Sequence, residues 1–143
     1  MKIDELLKYY PHIGEDIQEE QHELNKYISL QAEARNPLKS TNIDGMPHNG
    51  GVSDRTYQQV EKIIDRYQTE IDESIKNINN LLDTKKWLDK ALSQLSRGEY
   101  ELIKQYYWER MSIRNMAKQR KCSRDQVKSM INFTCERIKK VIS

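Results

Sequence analysis

Apolar residues recur along this chain at helical intervals, and no stretch alternates apolar with polar as a half-buried strand would. Ile3, Leu6 and Leu7 make a short patch that stops before Pro11. A proline suits the first turn of a new helix, where its missing N–H has no intrahelical partner anyway. From His12 to about Arg35, Ile13, Ile17, Leu24 and Ile28 repeat at helical spacing. Glu15, Asp16, Glu19 and Glu20 occupy the opening turns, where the helix dipole favours anions, so a first long helix is predicted there. Residues 36–52 (NPLKSTNIDGMPHNGGV) offer almost nothing to bury and are rich in Pro, Gly and Asn, which predicts a long flexible connection. Ser53 can then cap a second helix that meets neither Pro nor Gly before Gly98.

Two seven-residue series interleave on that second helix: Ile64, Ile71, Ile78, Lys85, Leu92, and Val60, Tyr67, Ser74, Leu81, Leu88, Leu95. They form a heptad seam, interrupted at Ser74 and Lys85. At 1.5 Å per residue the second helix spans roughly 60 Å and the first about 35 Å, so part of the seam needs a further partner. The C-terminal unit or the same helix of a second chain would serve, and a homodimer is the expectation.

Beyond Leu95 the punctuation changes. Ser96 and Glu99 form a capping box, predicting a helix from about Arg97 to Trp108 with Leu102, Ile103 and Tyr106 inward. Ser112 can cap a short helix to about Arg120, with Met116 and Ala117 inward. Ser123 can cap a last one that buries Val127, Met130, Ile131, Ile138 and Ile142. The connection Lys121-Cys122-Ser123 has helix-turn-helix length, and Ala117 is small where the two helices would cross. The expected fold is therefore all-α: a long helical hairpin or coiled-coil arm over residues 1–95, followed by a three-helix helix-turn-helix domain over 96–143.

Charge sharpens that division. The 143 residues carry a net +2, but residues 1–95 hold 12 Lys/Arg against 17 Asp/Glu, net −5, and residues 96–143 hold 12 against 5, net +7. A small basic unit on an acidic remainder is the footprint of a polyanion-binding module, although segregated charge also serves proteins with acidic partners. On the last helix Arg124, Asp125, Lys128, Ser129 and Asn132 share one face. Arg and Asn can bond guanine and adenine edges in pairs in the major groove of double-stranded DNA. Ser123, Gln126, Lys118, Arg120 and Lys121 flank that face and suit phosphates.

The stretch LSRGEYELIKQYYWERMSIRNMAKQRKCSRDQVKSMINFTCERIKKV, from Leu95 towards Ile142, resembles region 4 of sigma-70-type factors. It is closer still to the C-terminal half of ArpU/RinA-type transcriptional regulators of phages and prophages of Gram-positive bacteria. The acidic helical part, with its Gly/Asn-rich break and long second helix, is also similar to those regulators. The resemblance implies a transcription activator of late phage or mobile-element genes in a bacterial host. In a dimeric regulator of that kind the acidic helices would either fix the spacing between two helix-turn-helix units or offer a surface to RNA polymerase. Where the family usually has an aliphatic residue and then glycine ahead of the turn, this chain has Arg120 and Lys121, a departure that leaves the conformation of the turn open, a strained backbone at the lysine included.

Little else in the chain suggests chemistry. His12 and His22 converge on no third ligand, and Cys122 and Cys135 fit neither a disulfide framework nor a metal motif. Adjacent carboxylates such as Glu19/Glu20 and Asp72/Glu73 point to different helix faces, with no nucleophile nearby. No enzyme activity, metal or cofactor is expected. Tyr106, Tyr107 and Trp108 read as the core of a small domain, and Trp87 as packed against the basic unit or a dimer mate. No apolar run is long enough to span a bilayer, so a cytoplasmic protein is expected. Two other functions fit the same pattern: a small-terminase-like DNA-packaging protein, which would assemble into rings, and a protein-binding module built on a degenerate helix-turn-helix.

Overall fold

The structure, a computed structural model, describes residues 2–36 and 54–142. Every regular element among them is helical: α1 (Ile3–Tyr9), a 3-10 turn (Tyr10–His12), α2 (Ile13–Arg35), α3 (Asp54–Ser93), α4 (Arg97–Ile103) with a π-helical continuation (Lys104–Trp108), α5 (Ile113–Arg120) and α6 (Arg124–Ile142). None of these helices is long and apolar enough to cross a membrane. The all-α expectation of a long hairpin followed by three shorter helices is what the chain adopts. Apart from Asn36, the expected connection over 36–52 lies outside the described residues, as does the Ser53 cap.

The helices group into two compact units, Asp16–Asn80 and Met1–Glu15 together with Leu81–Ser143. This division differs from the expected cut before Ser96, because helix-turn-helix elements gather around themselves the chain's first helix and the end of α3.

Within Asp16–Asn80, α2 and α3 bury Ile17, Ile71 and Ile78. Gln31 is buried with them, and its amide nitrogen donates to the Ile64 carbonyl at 3.1 Å and to Gln68 Oε1 at 3.0 Å. A buried amide left unpaired is costly, so these bonds favour one register of the two helices over its neighbours. Tyr27 and Tyr67 pack with ring centroids 6.2 Å apart. The seam's polar interruption at Ser74 is buried, a small side chain on the packed face. Ile28, Tyr57, Ile63 and Ile75 remain exposed.

The other unit has the larger core. Leu7, Ile13, Leu88, Ile103, Met116, Val127 and Ile138 are almost wholly buried, each stabilising the fold by about 1.5–3 kcal/mol relative to exposure. Helix α1 lies against the π segment and α6. The Tyr107 hydroxyl donates to Asp4 Oδ1 at 2.6 Å and sits 3.3 Å from Cys135 Sγ, and Trp108 Nε1 donates to the Leu7 carbonyl at 2.8 Å. Burial first, and then those two partners, push the Tyr107 phenol far above its ordinary range, so it stays a neutral donor. Trp108 stacks on Tyr10 and meets Tyr100 edge-on, both at 5.5 Å. Tyr10 also donates to Asp89, which accepts from Lys85 Nζ at 3.0 Å. Lys85, the second polar break in the seam, is therefore tied into a network around α1.

Two side chains depart from expectation here. Met130, predicted inward, is 38% exposed, and Trp87 is 53% exposed in the single chain. Met130 sits at the edge of the buried face of α6, about 60° around the helix from Val127 and about 40° from Thr134, on the side away from Ile131.

Candidate nucleic-acid interface

The three-helix unit is closed by serine caps. Ser96 accepts from the Glu99 N–H while the Glu99 carboxylate accepts from the Ser96 N–H. Ser112 accepts from the Asn115 N–H at 3.1 Å. At the start of α6, Ser123 Oγ accepts from the Gln126 N–H at 3.1 Å, and Gln126 Oε1 accepts from the Ser123 N–H at 3.0 Å. Each cap satisfies N–H groups that a helix start leaves unpaired. Ser123 and Gln126 are thus engaged in holding the start of α6.

The turn ahead of α6 closes through Lys121, whose φ of 56° and ψ of 45° are left-handed. Its N–H reaches the Lys118 carbonyl at 3.3 Å and the Cys122 N–H reaches Ala117 at 3.1 Å, a Schellman ending. Glycine normally fills such a position, and a side chain there costs about 1–2 kcal/mol. Arg110, which follows the π segment, has φ 54°. Basic residues therefore stand at the left-handed positions on both sides of α5.

Met116, Ala117, Val127 and Ile131 fill the crossing of α5 and α6. With that face inward, Arg124, Asp125, Lys128, Ser129 and Asn132 lie exposed, and none makes a side-chain hydrogen bond or ion pair among the described residues. Arg124, Lys128 and Asn132 follow one another at four-residue steps, a ridge about 12 Å long at 1.5 Å per residue. Lys118 and Lys121 are exposed and unpaired as well.

Arg120 is placed differently from its neighbours. It is half-buried, and one guanidinium nitrogen donates to Gln105 Oε1 at 3.2 Å, tying α5 to the π segment. Gln105 in turn donates to Gln119 at 3.1 Å. Arg120 stands where the resembled family has an aliphatic residue, and its guanidinium takes up a packing role. Arg110 and Arg114 are exposed near the start of α5 and unpaired among the described residues. Neither is among the phosphate contacts that the sequence suggests, although their basic type within the +7 segment is the available signal.

At the other end of α6, Arg137 pairs with Glu99. Burial alone would raise the Glu99 carboxyl, but the Ser96 N–H and Arg137 outweigh it and hold the group below the usual carboxylate range. Among the described residues no group of three or more His, Cys, Asp or Glu side chains is arranged to hold a metal ion. The fold and this site together define an all-α protein with a helix-turn-helix unit and a cation-bearing final helix. No family model, curated protein or solved structure matches the chain.

Proposed function

We propose that this chain is a sequence-specific double-stranded-DNA-binding transcription regulator, an activator of phage, prophage or mobile-element genes that works as a homodimer in a bacterial cytoplasm. The single observation that carries the reading is the row Arg124, Lys128 and Asn132, exposed on a capped helix and without a side-chain partner among the described residues. Unpaired cations of a folded unit keep their full charge available to a polyanion. A helix with its side chains is about 10–12 Å across, which matches the width of the major groove, about 12 Å.

In this reading α6 enters the groove by its N-terminal half. Arg124 bonds guanine O6 and N7, Asn132 bonds adenine N6 and N7, and Asp125 accepts from a cytosine amino group. Lys118, Lys121, Arg110 and Arg114 hold phosphates and set the helix's register without reading sequence. Lysine and arginine at left-handed positions fit that role, since glycine would relieve the backbone cost but supply no charge. The resemblance to phage regulators supplies the biological setting, with RNA polymerase as the second partner.

Selection of bound fragments from the parent genome at physiological salt, followed by affinity measurement, tests the reading. Arg124→Ala is expected to cost about 1–3 kcal/mol on the selected site and to relax discrimination at one base position. Lys121→Ala is expected to weaken all sequences alike. The logarithm of affinity should fall by roughly 0.9 per log unit of salt for each phosphate neutralised. Absence of any selected site, together with a flat salt response, overturns the proposal.

A further inference from the structure

A second surface of the helix-turn-helix unit lies on the other flank of α6. A groove of about 400 Å³ runs between the first turn of α4 and the middle of α6, lined by Gly98, Glu99, Arg120, Met130, Phe133 and Arg137 among others. Phe133 is 65% exposed, the most exposed of the large apolar side chains described. Two atoms in the walls matter most. Glu99 Oε2 and Arg120 Nε are buried without a hydrogen-bond partner, and among the described residues no other side-chain nitrogen or oxygen is in that state. One is an acceptor with a negative charge, the other a donor with a positive charge, and both residues line the same groove.

We propose that this groove is a self-complementary contact through which two copies of the chain pair about a twofold axis. Each copy's Arg120 bonds the other's Glu99, and the two Phe133 rings pack across the axis. An isologous interface must be complementary to itself, and a groove holding one orphaned donor and one orphaned acceptor meets that condition. Pairing entails a rotamer change that turns the two free atoms outward, and it ends their unpaired state in both copies at once. Duplex DNA fits the groove poorly, because the Glu99 carboxylate stands in its wall and Arg137 is already neutralised by it. The contact is confined to one groove, whereas stable interfaces bury roughly 1,200 Å² or more in total, so a dimer that is weak in free solution is expected. It places the homodimer contact on the DNA-binding unit, apart from the seam of α3.

Sedimentation equilibrium of the full-length chain without DNA, from low micromolar to near-millimolar concentration, tests this independently of the regulator reading. The expected result is a concentration-dependent dimer. Phe133→Glu should weaken it at least tenfold and Arg120→Met measurably, with helicity unchanged because Phe133 is exposed. In a Cys122→Ser background, Phe133→Cys should give an oxidised covalent dimer, whereas Lys139→Cys on the opposite flank of α6 should not. A monomer at every concentration overturns the proposal. So does a dimer that ignores Phe133→Glu but is weakened by Ile75→Asp, a result that would leave a dimeric regulator intact with its contact on α3.

Discussion

The two compact units use helices in opposite ways. The unit Asp16–Asn80 is built from two long helices that bury Ile17, Gln31, Ile71, Ser74 and Ile78, two of them polar. The unit that joins residues 1–15 to 81–143 uses mostly short helices, and α4 and α5 are only 7 and 8 residues long. Helices that short are marginal alone, because nucleation costs more than a few hydrogen bonds return. They persist here through serine caps and a closed core from Leu7 to Ile138. Length supports the hairpin, whereas packing and capping support the site. The unit that presents Arg124, Lys128 and Asn132 is thereby the one with the larger buried core, which fits the proposed reading of base edges by side chains held on a packed helix.

Core truncation is the strongest probe of this contrast. Ile103→Ala should destabilise the chain by about 2–5 kcal/mol in denaturant melts. Ile71→Ala, in a thinner layer, should fall at or below the lower end of that range, and equal losses would remove the distinction. Tyr107→Phe comes next, at about 1–3 kcal/mol, since it strips the hydroxyl that joins Asp4 to Cys135. Limited proteolysis should then cut residues 2–15 sooner, which an independent N-terminal segment would not show.

Smaller effects concern helix ends. Ser112→Ala should cost about 1 kcal/mol through loss of the cap on α5. Lys121→Gly should instead stabilise by about 0.5–1 kcal/mol while weakening the proposed DNA binding, which separates the backbone cost of that residue from its charge. Acid is the mildest probe. Asp89 is opposed by burial but held low by hydrogen bonds from Tyr10 and Lys85, and Glu99 is likewise held below its ordinary value. Groups depressed on folding stabilise above the unfolded carboxyl value near pH ~4 and lose that contribution as pH falls through the lower folded value. A pH series of thermal melts should therefore decline below about pH 4, and Glu99→Gln should flatten part of the decline.

Much of the helix-turn-helix was legible in the chain. Ser96, Ser112 and Ser123 mark helix starts by local chemistry, and Met116, Ala117, Val127, Ile131 and Ile138 follow from periodicity alone. Periodicity is blunt at the edge of a face, which is why Met130 was expected inside and stands on a groove. The charge of Arg120 is visible in the sequence and suggests a phosphate ligand, whereas Gln105, fifteen positions earlier, is not visibly its neighbour. The serine caps also engage Ser123 and Gln126, so the free outward set is smaller than the polar set on and around α6.

Helix type, helix ends and the basic character of the last third are properties of residues within one or two turns of each other, and the amino-acid order alone determined them. Where α1 rests was decided only by tertiary structure, because the Asp4–Tyr107 and Leu7–Trp108 bonds join residues about a hundred positions apart. The groove beside Phe133 belongs to that second class too. Its walls come from three helices, and its two unpaired atoms become a feature only when burial has removed the water that would otherwise satisfy them.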